Sequence, residues 1–237
     1  MIPIRHTLPQ RGAPIVNRAL VAANVVIFVA MLFLGQRSEF LINNFGYVPA
    51  RLFNPEAYGF NRVQVAITLI TSLFLHGGVV HLFGNLVYLW VFGGPVEDAL
   101  GHVRYLIFFI VCGIVGSIVH TMIFPRSPIP SIGASGSIAG ILGAFLVLRP
   151  RARIVTLFPL VVYWAMAEVR ALVFLPIWFA MQFFNGFLSL AAAARTEQVV
   201  GVAWWAHIGG FIFGAMVGVG VRIFRSEAKS GSTPDTT

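Results

Sequence analysis

Five stretches of this chain, 16–35, 79–98, 103–124, 135–148 and 202–224, run almost without charge. Wound as helices, apolar runs of about 20 residues match the roughly 30 Å hydrocarbon core of a bilayer. Their repetition constrains the fold more than any single motif: an all-α polytopic membrane protein is expected. Composition agrees, with 58% apolar and 10% charged residues, outside the range of soluble domains. Two longer apolar tracts need dividing. Between Val63 and Phe92 the triplet "HGG" breaks the run, so "VAITLITSLFL" reads as an interfacial helix leading into the second span. Between Ile154 and Leu190 the run is interrupted by Pro159, Glu168, Arg170 and Pro176. That leaves 154–167 as an interfacial or re-entrant segment, too short to span, and one span near 171–191. The expected total is six.

Charge orients the bundle. With the N-terminus inside, eleven of the sixteen Lys and Arg residues fall in inside segments, and the positive-inside rule then puts both termini in the cytoplasm. These cations sit in short loops between apolar runs, a placement suited to anionic lipid rather than to nucleic acid. The expected layout is a cytoplasmic segment 1–15, a membrane domain 16–224 and a flexible polar tail 225–237. No small-residue cleavage site follows the first apolar run, which therefore reads as a retained span rather than a signal peptide. The single cysteine, Cys112, permits no disulfide or cysteine metal site within one chain.

The fourth run is anomalous. In "PRSPIPSIGASGSIAGILGAFLVLRP", residues 125–150, the apolar part from Gly136 to Leu148 reaches only about 20 Å. Irregular backbone at membrane depth is tolerated where protein buries it or where it lines a water-filled cavity. A short fourth helix starting inside the membrane is therefore expected, with the Pro-rich loop delivering Ser135 to such a cavity. In a six-span topology the second, fourth and sixth spans all begin on the outer side. Those beginnings carry His81 and Asn85, Ser135, and His207, at one depth. A seventh span at 154–167 would move His207 to the opposite face.

Polar groups inside a bilayer are a functional hypothesis by default. Ser135 alone reads equally as a small packing residue, and His207 alone as an interhelical hydrogen-bonder. Together they suggest more. Gly136 and Gly140 on the fourth span, and Gly210, Gly214 and Gly218 on the sixth, form small-residue faces that let helix backbones approach closely. Such packing would bring Ser135 and His207 within hydrogen-bond reach, where histidine serves as the base that activates serine. Every Asp and Glu falls in a loop, at a span end or in the tail, so a Ser–His dyad is expected, with Trp204 a candidate for orienting the imidazole. Backbone N–H groups at the helix N-terminus of Ser135 favour negative charge. His81 and Asn85, four apart on one face, can both donate; a helix cap and an interhelical bond are their structural alternatives. The His76–His81 spacing is not a good same-face ligand pair, and no carboxylate accompanies the histidines, so no metal is expected.

Taken together, "HGGVVHLFGNLVYLWVFGGPVEDALG", "GASGSIAGILGAF" and "GVAWWAHIGGFIFG" resemble the three motif regions of the rhomboid intramembrane serine proteases. The likeness extends across most of residues 16–224, in order and spacing. It implies a six-helix rhomboid-like bundle that cleaves other proteins' transmembrane segments near their outer ends, without cofactor or metal. By the same resemblance Ser135 is the nucleophile and His207 the general base, and His81, Asn85 and the Ser135 N–H form the oxyanion hole. The fifth span acts as a substrate gate in this family, which implicates Trp178, Phe179, Phe183 and Phe184; lipid-facing aromatics are the alternative reading. The short N-terminus and lack of extra domains suit a bacterial cytoplasmic membrane, with the site toward the extracytoplasmic side. The other reading of the whole chain is a non-catalytic rhomboid-like protein that escorts membrane clients. Two positions depart from the family pattern. Ala139 stands where some members stack an aromatic residue on the histidine, and "GFNRVQV" lacks the Trp-Arg pair of many first loops.

Overall fold

A computed structural model describes residues 1–9, 12–159, 164–196 and 202–230. Five helices are long and apolar enough to cross a membrane. They are α1 (Ile15–Leu34), α5 (Val79–Leu100), α6 (His102–Ile123), α8 (Ala171–Thr196) and α9 (Trp204–Ser230), with α7 (Ser135–Leu148) the short sixth member of the bundle. Helices α2 (Ser38–Phe45), α3 (Pro49–Phe53) and α4 (Arg62–Thr71) fill the long first connection. Asn61 and Gln64 close a reciprocal capping box at the start of α4, which satisfies two N–H groups that the helix cannot. The helix expected before the second span is this α4 with the 3-10 turn after it.

The bundle is organised around α7. Every residue from Gly136 to Phe145 is buried, which explains why the sequence there is apolar on all faces rather than on one stripe. Helices α5, α6 and α9 surround it. Backbone meets backbone along the α7–α9 seam: a Cβ on Gly210 would meet the carbonyl of Gly136, and one on Gly214 the carbonyl of Gly140. Gly140 itself is closed by Cys112 of α6, whereas a Cβ on Gly136 would find its nearest neighbour at 3.6 Å, in Ala206 O. Lipid tails are as apolar as leucine, so this close packing takes the place of a hydrophobic driving force.

Helix α1 is held by one stripe, Asn17, Leu20, Asn24, Phe28 and Met31. Its N-terminus is capped from a distance by the buried Glu97 of α5, which accepts from Val16 N at 2.9 Å and Asn17 N at 2.8 Å and also bonds His102 Nδ1. A carboxylate at a helix N-terminus takes up otherwise unpaired N–H groups.

The segment expected at 154–167 to be too short to span is built, in its described residues, of strands, not of helix. Residues 153–159 and 164–170 form two strands, β2 (Arg153–Pro159) and β3 (Trp164–Arg170), and the N-terminal segment supplies β1 (Ile2–His6). All three pair antiparallel in the order β1-β2-β3, with Ile2 opposite Leu157 and His6 opposite Ile154. Apolar length alone does not separate a short strand from a short helix. The β-branched run Ile154-Val155-Thr156 and its alternation decide it, with Ile154 and Thr156 fully buried. Pairing of β1 with β2 holds the N-terminal segment and the α7–α8 connection on one face of the bundle. Helix α9 continues through Ser230, so residues 225–230 are helical rather than part of a loose tail; Arg225 donates to Ala99 O at the end of α5. Residues 231–237 lie outside the described residues.

Candidate active site

The Pro-rich loop before α7 is tied down at each step. Ala50 N donates to Ser127 O at 3.1 Å, Ser131 N to Tyr47 O at 2.7 Å, and Gly133 N to Ser72 O at 2.9 Å. The first connection therefore fixes where α7 begins. Arg51, with its guanidinium 4.1 Å over the Phe60 ring, braces that connection. Gly133 has φ +112°, and a Cβ there would lie 2.7 Å from His81 Nε2 and 3.4 Å from Asn85 Nδ2. Only glycine adopts this conformation freely, and its bare backbone lets the His81–Asn85 face of α5 approach the residue pair that leads into Ser135.

Ser135 is half-buried at the first position of α7. Ile138 N is the first N–H taken up by the helix, by Ala134 O at 2.9 Å, so the N–H groups before it have no helical acceptor. Above them a cavity of about 710 Å³ is lined by His81, His120, Ser127, Ser135, Val202 and other residues of these loops. Asn85 Nδ2 donates to His76 Nε2 at 2.8 Å. One amide hydrogen is thereby spent and the other left for a ligand. His76 in turn packs edge-on against His81, with centroids 5.1 Å apart. His76 is a site residue that spacing did not reveal: it lies before α5, and only the turn at "HGG" folds it back onto Asn85.

His207, one turn into α9, is 7% exposed. Its Nδ1 lies 2.8 Å from Oε1 of Gln182 on α8. An amide oxygen can only accept, so the shared proton sits on Nδ1 and the lone pair on Nε2. That Nε2 is buried and has no hydrogen-bond partner; no hydrogen bond joins it to Ser135 Oγ in this state. Two indoles flank the ring, Trp204 at 5.8 Å and edge-on, and Trp178 at 6.2 Å. Trp204 touches the imidazole, and the polar partner is Gln182, which the sequence reading did not name.

The four aromatic gate candidates separate. Trp178 faces the site, stacked also on Phe211. Phe179 and Phe183 lie along the α8–α9 seam, against Phe211 and Trp205. Phe184 is 64% exposed. Among the described residues no three of His, Cys, Asp and Glu converge to hold a metal ion.

The rhomboid domain profile matches residues 64–224. The chain is 46% identical to Rhomboid protease GluP of Bacillus subtilis (strain 168) over 78 residues, 33% of this chain and 15% of that protein. To RHOMBOID-like protein 5 of Arabidopsis thaliana it is 30% identical over 152 residues, 63% of this chain and 42% of the relative. Inactive rhomboid protein 1 of Drosophila melanogaster is 31% identical over 80 residues, 34% of this chain and 6% of the relative. The chain spans less than half the length of these relatives. A profile match over most of the chain, on a helical bundle of this design, establishes that the chain belongs to the rhomboid family.

Proposed function

We propose that this chain is an intramembrane serine endopeptidase that hydrolyses peptide bonds in or near the transmembrane segments of other membrane proteins. The observation that carries the reading is the state of His207: one ring nitrogen is committed to Gln182 and the other is buried and free. A histidine held only for packing has no need of that arrangement. The relative named as a protease, GluP, supports it.

In this reading Ser135 Oγ turns toward His207 Nε2, which takes its proton as the oxygen attacks the scissile carbonyl. The negative charge that develops on the carbonyl oxygen is met by the Ser135 N–H, His81 and the remaining Asn85 hydrogen. His207 then protonates the leaving amine. Water entering the cavity beside Ser135 hydrolyses the acyl-enzyme, with His207 again as base. Catalytic hydrogen bonds are often unformed before substrate arrives, consistent with the open Ser135–His207 pair. Trp178, on the wall between α8 and the site, stands at the entry for a substrate helix, with Phe179, Phe183 and Phe184 above it on α8. In this reading the membrane is a bacterial cytoplasmic one, and the arginine distribution supports an orientation with both termini in the cytoplasm and the site toward the outer leaflet.

The second reading, a client-binding rhomboid without catalysis, is favoured by the missing Ser135–His207 hydrogen bond and by the inactive relative. Purified protein with a generic transmembrane substrate and a fluorophosphonate probe separates the two. Cleavage and labelling that vanish in Ser135→Ala and His207→Ala support proteolysis. An unlabelled Ser135 in folded wild-type protein supports client binding.

A further inference from the structure

We infer that Gln182 is a positioning residue of the active site: its side-chain oxygen does for His207 what a carboxylate does in a catalytic triad. The inference deepens the proteolytic reading and rests on it. Three observations carry it.

Gln182 and His207 are each 7% exposed, and their contact at 2.8 Å is direct. The amide cannot be reversed without loss, because its Nε2 donates to Trp178 O, one turn back on the same helix, at 3.3 Å. That bond leaves Oε1 as the atom facing the imidazole. Finally, no carboxylate among the described residues hydrogen-bonds His207, and nothing else bonds its Nδ1.

The consequence for proton transfer is specific. When Ser135 Oγ gives up its proton, His207 Nε2 receives it and the ring becomes an imidazolium. Its Nδ1–H stays bonded to Gln182 Oε1, which accepts the hydrogen bond and takes no proton. Gln182 thus selects the tautomer whose free nitrogen is Nε2, and it steadies the cation through a dipole. In a dry bundle a carboxylate would carry a large desolvation penalty; an amide orients the ring at much lower cost. Because Gln182 belongs to α8 and His207 to α9, the base is oriented only while the outer half of α8 rests against α9. Pro176, inside α8 and below Gln182, removes one helical hydrogen bond and marks where that half can swing. Orientation of the base is therefore tied to the position of α8.

The test uses the full chain with two substitutions, Gln182→Met, of similar length but without the acceptor, and Gln182→Glu, which keeps an oxygen at the same place. Two readouts are taken: kcat and KM on a transmembrane substrate, and the nitrogen-15 spectrum of His207, which reports the tautomer. Thermal unfolding normalises both for folded protein. Loss of a group that orients a functional ligand typically costs roughly 10- to 100-fold in activity. We expect Gln182→Met to lower kcat by about that much with KM little changed, and to lose the fixed Nδ1–H tautomer. Gln182→Glu, which keeps an acceptor for Nδ1 but is desolvated and loses the bond to Trp178 O, should lose less of the rate than Gln182→Met. Wild-type kcat in Gln182→Met, an unchanged tautomer, or equal losses in both variants would each overturn the assignment. A wild type that neither cuts nor labels at Ser135 would instead remove the proteolytic reading. The tautomer would then still decide whether Gln182 orients the ring.

Discussion

The α7–α9 seam yields a sharp contrast between two glycines that the sequence presents as equivalent. A Cβ on Gly214 would lie 2.6 Å from Gly140 Cα and 2.5 Å from its carbonyl carbon. Carbon atoms sit at about 3.5–4.0 Å in good contact, so in Gly214→Ala the two backbones must part by roughly 1 Å. Neither side has a flexible side chain to yield. Overpacking of this kind costs about 1–3 kcal/mol, and the separation also loosens the neighbouring close approach of Gly210 to Gly136. A total near ~3 kcal/mol is expected, at the upper end of that range. At Gly136 the added methyl would meet Ala206 O at 3.6 Å and Ala206 Cβ at 3.8 Å, ordinary contact. There the helix-propensity gain of alanine over glycine, about 1 kcal/mol, makes Gly136→Ala neutral or slightly stabilising. The assay is unfolding of both variants in detergent, followed by circular dichroism under identical conditions. Wild-type stability in Gly214→Ala, or an equal loss in Gly136→Ala, would refute the claim that the seam is set by backbone contact at Gly140–Gly214.

Two further substitutions probe other parts of the same design. Gly133→Ala places a methyl 2.7 Å from His81 Nε2 at a φ of +112°. It should displace a proposed oxyanion donor and lower fluorophosphonate labelling of Ser135 by roughly 100-fold, while the helical circular dichroism stays at the wild-type level. Labelling at the wild-type rate would detach His81 from the reaction. Glu97→Ala strands the Val16 and Asn17 N–H groups and should cost about 3 kcal/mol in thermal or denaturant unfolding. Glu97→Gln, which retains one acceptor oxygen, should fall between alanine and wild type; equal stability of all three would show that α1 needs no cap from α5.

Sequence legibility followed the range of the signal. The long helices and the 14-residue α7 fall where the apolar runs predict them, since hydropathy and helix length are properties of a segment by itself. The glycine faces were legible too, because spacing by four places residues on one side of any helix. The strands at 153–170 were not. The buried Ile154 and Thr156 lie in β2, which pairs with β1 from residues 2–6, and no local window contains both partners. His76 and Gln182 escaped for a related reason. Each is one polar residue in an apolar neighbourhood, and its meaning lies in a hydrogen bond across nine and twenty-five positions.

The sequence by itself determined that this chain is a membrane bundle, which residues could carry acid–base chemistry, and which helix faces could pack closely. Those follow from composition and period, which any helix obeys alone. Tertiary structure decided which atoms meet: Gln182 against His207, Asn85 against His76, and Gly133 bare against His81. Successive residues on a helix differ in direction by about 100°, so a polar contact between two helices depends on the rotation and depth of both. Those are set jointly by the backbone contacts along the α7–α9 seam and by the loops that pin Ser135, and no single segment encodes them.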